Sequence, residues 1–160
     1  MSLGAGLRLI DAALHGRAVD IITLHQEYPQ LVKLPEYYDK ALFCAMTQGH
    51  VDSVIALGQC FPNANYNLLY GPTEFNNHNS STALHQAAAK GYDTCITAAL
   101  EYFRPQSKFV QDSAEMTILM VAAVFGHPTC IKALEKVARP GATGFFHQTA
   151  LMYAAEYGHD

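Results

Sequence analysis

A glycine that usually follows a pair of small residues recurs five times along this chain, and that internal period constrains the fold more than any other feature. Two variable residues separate the small pair from the glycine. The glycines are Gly16, Gly49, Gly91, Gly126 and Gly158, at steps of 33, 42, 35 and 32 residues. A period of this length indicates stacked supersecondary units, because one such unit cannot bury enough apolar surface alone.

The residues before each glycine also repeat. A threonine stands nine residues before each of the last three glycines, at Thr82, Thr117 and Thr149. A leucine stands seven residues before the glycine in all five units. The leucine and the small residues three and four positions later share one face of a short helix. The glycine supplies the left-handed conformation that ends it. Since a second amphipathic segment follows, the sequence predicts units of helix, tight turn, helix and loop.

The sequence of the third unit resembles a known repeat family. Residues 82–91, TALHQAAAKG, closely resemble the T-P-L-H-x-A-A-x-x-G core of the ankyrin repeat. The units that begin at Thr117 and Thr149 resemble the same core, and Asp112 stands where the family usually has the aspartate that opens its β-turn. The resemblance spans about residues 7 to 160, although no unit has proline after the threonine. It implies an all-α ankyrin-repeat solenoid of stacked helix-turn-helix units with β-turn or hairpin loops.

We expect one ankyrin-repeat domain over residues 1–160, with full units at about 7–34, 38–61, 80–104 and 115–139 and a half unit at 147–160. The first two units match less well, because Leu7 and Lys40 replace the threonine. The long second step places about nine extra residues in the segment 62–79, which is rich in the turn formers Asn, Pro and Gly. In such a stack this segment would form an extended β-hairpin finger; the alternative is an insertion without a role.

Composition and charge limit the partners and the cellular location that we expect for this chain. The net charge of −4 gives no electrostatic reason to expect a nucleic acid or an anionic membrane as partner. No apolar run approaches the roughly 20 residues that cross a bilayer, and the N-terminus lacks the basic and apolar regions of a signal peptide. Four widely spaced cysteines without a C-x-x-C pair indicate reduced thiols. We therefore expect a cytoplasmic protein.

The histidines and cysteines do not indicate catalysis or metal binding. His50, His127 and His159 directly follow a turn glycine, where the resemblance implies hydrogen bonds between neighbouring repeats. Cys95 and Cys130 share one position on the second helix, where small apolar residues pack. The closely spaced Cys and His pairs of a zinc site are missing, as are the nucleotide-binding, hydrolase and zinc-protease motifs. We predict no enzyme activity in this segment and no cofactor or metal.

The resemblance implies that a partner protein binds on the concave surface, formed by loop tips and by the exposed face of each first helix. Phe125, Phe145, Phe146 and Tyr157 would place four aromatic side chains there, and exposed aromatics often anchor interfaces. For Phe145 and Phe146, the alternative is that they cover the stack between repeats. The predicted partner-binding residues are Tyr37, His78, Met116, Phe145 and Phe146 at loop tips, and Gln48, Lys90, Phe125 and Tyr157 directly before the turn glycines.

The leading hypothesis is therefore a protein-interaction scaffold. Because the sequence stops before the fifth unit forms a second helix, we expect a fragment of a longer repeat protein. An alternative function is the targeting or regulatory segment of a larger enzyme, for example a kinase, or of a secreted effector. A further alternative is self-association through the uncovered C-terminal half repeat.

Overall fold

The computed structural model describes residues 2–71, 80–103, 111–135, 137–144 and 146–159. Within these ranges the chain is helical, which confirms the predicted class. The helices are α1 (Ser2–Leu14), α2 (Ala18–Glu27), a 3-10 helix (Pro29–Lys33), α3 (Pro35–Gln48), α4 (Val51–Cys60), α5 (Ala83–Lys90), α6 (Asp93–Tyr102), α7 (Ile118–Val124), α8 (Pro128–Leu134) and α9 (Ala150–Glu156). None of the helices in the described ranges has the length and apolar character needed to cross a membrane.

The helices form two layers. The first helices of successive units pack side by side, α1 on α3, α3 on α5, α5 on α7 and α7 on α9. The second helices do the same, α2 on α4, α4 on α6 and α6 on α8. Each unit contacts its sequence neighbours, which is the arrangement of a solenoid.

Small side chains and one leucine per unit build the core of the first layer. Ala87 and Ala88 of α5 and Ala122 of α7 are fully buried, and their size lets adjacent helices approach closely. Leu84 is 1% exposed, and Leu9 and Leu42 are fully buried. The predicted apolar face of the first helices is therefore confirmed in the first four units.

Threonine caps fix where the later first helices begin. The hydroxyl oxygens of Thr82, Thr117 and Thr149 accept the backbone N–H three residues on, at 3.4, 3.3 and 3.4 Å. Such a cap satisfies an N–H that the helix leaves unpaired. Leu7 and Lys40 offer no cap, and α1 and α3 extend back to Ser2 and Pro35, ahead of the expected unit starts near residues 7 and 38.

The segment after α4 returns to the stack as a hairpin stem. Tyr70 and Ser81 exchange two backbone hydrogen bonds of 3.0 Å in an antiparallel bridge. The Tyr70 ring lies 4.2 Å from the Phe43 ring, and the Lys40 ammonium lies 4.9 Å from the Tyr70 centroid. These contacts hold one side of the stem against α3. The tip of the predicted finger, residues 72–79, lies outside the described residues.

Candidate functional site

The residue before each turn glycine occupies one repeat position, and we call its members in the last four units, Gln48, Lys90, Phe125 and Tyr157, the turn row. The glycines that follow have φ between 66° and 78°, the left-handed conformation predicted for them. Because the first helices pack in sequence order, neighbouring row members are separated by one interhelical spacing of about 10 Å. The turn row is therefore a continuous strip along the solenoid.

Two aromatic side chains stand exposed at the C-terminal end of the turn row. Phe125 is 40% exposed and Tyr157 is 56% exposed. Their helices α7 and α9 are in direct contact. Large apolar side chains left in water at adjacent equivalent positions are typical of an interface rather than of a core.

Lys90 has a structural contact that the sequence prediction missed. It is half-buried, and its Nζ donates a hydrogen bond of 2.9 Å to the carbonyl of Thr47 in the preceding unit. Its charge therefore points back along the stack. Gln48, the first member of the row, is exposed.

Histidine rings make the equivalent hydrogen bond at three other junctions between units. Nε2 of His50, His127 and His159 donates to the carbonyls of Leu14, Ala89 and Val124 at 3.1, 3.0 and 3.0 Å. Each acceptor lies two residues before a turn glycine, and the hydrogen bonds implied by the resemblance are confirmed.

The same rings pack against the turn glycines. A methyl group on Gly91 would lie 2.9 Å from Nδ1 of His127. In the third unit Tyr92 replaces the histidine, and its ring packs on Gly49 in the same way. The acceptor at this junction is the Thr47 carbonyl, which Lys90 occupies instead. The absence of histidine after Gly91 was the sequence signal for this exchange.

The loop tips carry the remaining predicted contacts. Asp112 opens the turn before α7, as the resemblance implied, and its Oδ1 accepts the N–H groups of Ala114 and Met116 at 2.8 and 2.9 Å. Met116 is half-buried at this tip. Phe146 is 73% exposed at the equivalent tip before α9. Both tips are therefore held in defined shapes beside the ends of the first helices.

A strained residue shapes each of these two tips. Glu115 and His147 both have φ of 58°, in the left-handed region that side chains other than glycine rarely adopt. Each stands two residues before a cap threonine. No repeated residue in the sequence marked this position.

A buried histidine links the third unit to the tip before α7. Nδ1 of His85 lies 2.7 Å from the Thr82 hydroxyl, and Nε2 donates to the Met116 carbonyl at 2.9 Å. Because a carbonyl only accepts, the proton is on Nε2, and Nδ1 accepts from the threonine. Burial lowers the pKa of His85, so the ring is neutral and serves packing rather than proton transfer.

Tyr37 is not at a loop tip, where the sequence analysis placed it. It lies within α3 because this helix begins at Pro35. Its ring packs on Gly6 of α1 so closely that a methyl group there would lie 2.4 Å from the ring. Tyr37 is half-buried. The predicted contacts His78 and Phe145 lie outside the described residues.

The cysteines are free thiols in the structure, as expected. Burial raises the pKa of both Cys95 and Cys130 to about 11, with a smaller contribution from the Asp93 carboxylate. Among the described residues, no three His, Cys, Asp or Glu side chains come together as metal ligands would.

One face of α9 is open. Leu151 is 79% exposed and Met152 is 53% exposed, whereas Leu84 and His85 at the equivalent positions of α5 are each 1% exposed. A groove of about 590 Å³ lies between α7, α8 and α9, lined by side chains that include Ala123, Ile131 and Leu151.

Comparison with known proteins agrees with the resemblance. A family model described as ankyrin repeats, in three copies, matches residues 55–143, more than half of the chain. No curated protein matches the sequence.

Proposed function

This chain belongs to the ankyrin-repeat family, and we propose that it is an interaction scaffold that binds a partner protein on its concave surface, with no catalysis in this segment. Ankyrin repeats are generally protein–protein interaction modules. The proposed contact residues are those of the turn row, together with the tip residues Met116 and Phe146.

The observation that carries this proposal is the exposure of Phe125 and Tyr157 at equivalent positions of adjacent repeats. The backbone around both is fixed, since each residue caps its helix with an N–H bonded to a carbonyl four residues earlier. Two aromatic side chains are thus presented by a rigid backbone, which lowers the entropy lost on binding. A partner that buries one in a pocket gains about 2 kcal/mol or more from it.

The test is a double variant, Phe125→Ala with Tyr157→Ala, compared with the wild type for capture of partners from the natural host. We expect loss of the captured partner with helical circular dichroism retained and at most a small fall in Tm, because Phe125 and Tyr157 are 40% and 56% exposed. Val19→Ala is the matched control, since Val19 is 75% exposed on α2 in the first unit, three units before Phe125. Loss of folding in the double variant would show that these residues belong to the core, and unchanged capture would contradict the proposal.

The open groove beside α9 favours a second candidate, self-association. Covering Leu151 with the apolar surface of a second copy would remove from water a residue type that is buried at the equivalent position in every other unit. Sedimentation at micromolar concentration tests this: a dimer that Leu151→Glu dissociates supports it, and a clean monomer of 17.5 kDa contradicts it.

A further inference from the structure

The exposed aromatics of the turn row are accompanied by carboxylates. Glu156 directly precedes Tyr157 and is exposed, and Glu115 is exposed at the tip before α7. Lys132 lies on α8, and Arg139 lies in the loop after α8, where it lines a pocket with Gln111 and Thr117. The helices α7 and α9 carry no lysine or arginine, and the residues at their C-terminal ends supply the two aromatic rings and the Glu156 carboxylate.

The Glu156 side chain is held beside the loop tip. Its Oε2 accepts a hydrogen bond of 3.0 Å from Nε2 of Gln148, the residue directly before the cap Thr149. The bond joins the tip to the end of α9, so both lie on one surface. Tyr157 is the next residue, so the carboxylate and the aromatic ring both lie at the C-terminal end of α9.

The opposite end of the row has a different character. Gln48 is uncharged, and the Lys90 ammonium is turned towards the Thr47 carbonyl. A partner lying along the row therefore passes from a polar end to an acidic, aromatic end. This gradient gives an extended ligand a preferred direction.

The chemistry that fits the acidic end is a cation with a flat face. A guanidinium group stacks on aromatic rings and pairs with carboxylates through parallel hydrogen bonds, which an ammonium group cannot do as well. Aliphatic side chains next to it would cover the rest of Phe125 and the exposed Phe146. We infer that the surface around Phe125, Glu156 and Tyr157 binds an arginine-containing segment of the partner protein, with apolar residues beside the arginine. This inference rests on the proposed function.

Selection from random dodecapeptides displayed on phage tests the inference with the intact chain as bait. The double variant Phe125→Ala with Tyr157→Ala serves for counter-selection, so that retained peptides depend on the two aromatics. We expect these peptides to share an arginine flanked by apolar residues. Replacing that arginine by lysine in a synthetic copy should weaken binding, and replacing it by glutamate should abolish it.

The charge contribution is measured with the same synthetic peptide. Glu156→Gln should weaken its binding about threefold to fivefold at low salt, and this difference should shrink as salt is raised. Glu27→Gln, an exposed carboxylate at the end of α2, is the control and should leave binding unchanged. Neutral or acidic peptides that depend on Phe125 and Tyr157 would overturn the inference while supporting the proposed function. A selection in which no peptide survives counter-selection with the double variant would overturn both.

Discussion

Replacing Lys90 tests whether its hydrogen bond to the Thr47 carbonyl stabilises one junction between units as a histidine does at three others. Lys90→Met removes the charged donor and keeps most of the apolar stem. A hydrogen bond from a charged group contributes about 1.5–3 kcal/mol, and because Lys90 is half-buried, solvent screening reduces this to about 1 kcal/mol. In a chain of 160 residues that loss lowers Tm by about 2–4 °C.

A second substitution should restore a hydrogen bond to the Thr47 carbonyl, with a histidine as the donor, as at the other junctions. Tyr92→His places an imidazole where the Tyr92 ring already packs on Gly49. In the wild type Lys90 already donates to the Thr47 carbonyl, so the histidine could add only a second hydrogen bond to a satisfied acceptor, and we expect little gain. In the Lys90→Met background the histidine finds this acceptor unoccupied by lysine, and we expect recovery of about 1 kcal/mol.

Urea denaturation followed by circular dichroism measures the four corners of this double-mutant cycle. Lys33→Met, at an exposed lysine in the 3-10 helix, is the control for removing a positive charge. We expect a coupling energy of about 1 kcal/mol between Lys90 and Tyr92. A coupling within about 0.3 kcal/mol of zero would refute the reasoning, because independent sites add to that precision.

Three further predictions follow from the interior and the loop tips. Burial lowers the pKa of His85, so this imidazole binds a proton more readily in the unfolded chain than in the folded one. The free energy of unfolding should therefore fall as pH drops below about 6.5. In urea titrations at different pH values, His85→Gln should reduce this dependence of the free energy of unfolding on pH. Glu115→Asn should stabilise the fold by about 0.5–1 kcal/mol, because asparagine adopts a φ of 58° with less strain; a lower Tm in calorimetry would contradict this. Cys95 and Cys130, with pKa about 11 and full burial, should react with a thiol reagent at pH 8 only after unfolding, and rapid labelling of the native chain would show that the second layer opens.

Local, repeated features were predictable from the sequence. The threonine caps, the turn glycines and the histidines after Gly49, Gly126 and Gly158 each act within one unit or between adjacent units, and recurrence at a fixed spacing revealed them. The cysteine pair Cys95 and Cys130 was expected to pack, and both are buried.

Features that depend on an exception to the repeat were not predictable in the same way. A missing threonine cap leaves no sequence signal for where α1 and α3 begin, and the two helices begin at Ser2 and Pro35. Tyr37 was consequently expected at a loop tip, although the extended α3 packs it on Gly6. Lys90 reaches an acceptor 43 residues earlier, and such a contact becomes visible only when the packed units are compared.

Crosslinking from the turn row tests the central claim most directly. Phe125 is replaced by the photoreactive p-benzoylphenylalanine, and the same amino acid at the exposed Val19 on α2 is the control. Irradiation in the natural host should give a discrete protein adduct from position 125 and none from position 19, because the partner is proposed to cover the turn row. The same adduct from both positions, or an adduct from position 19 alone, would contradict a binding surface at the turn row.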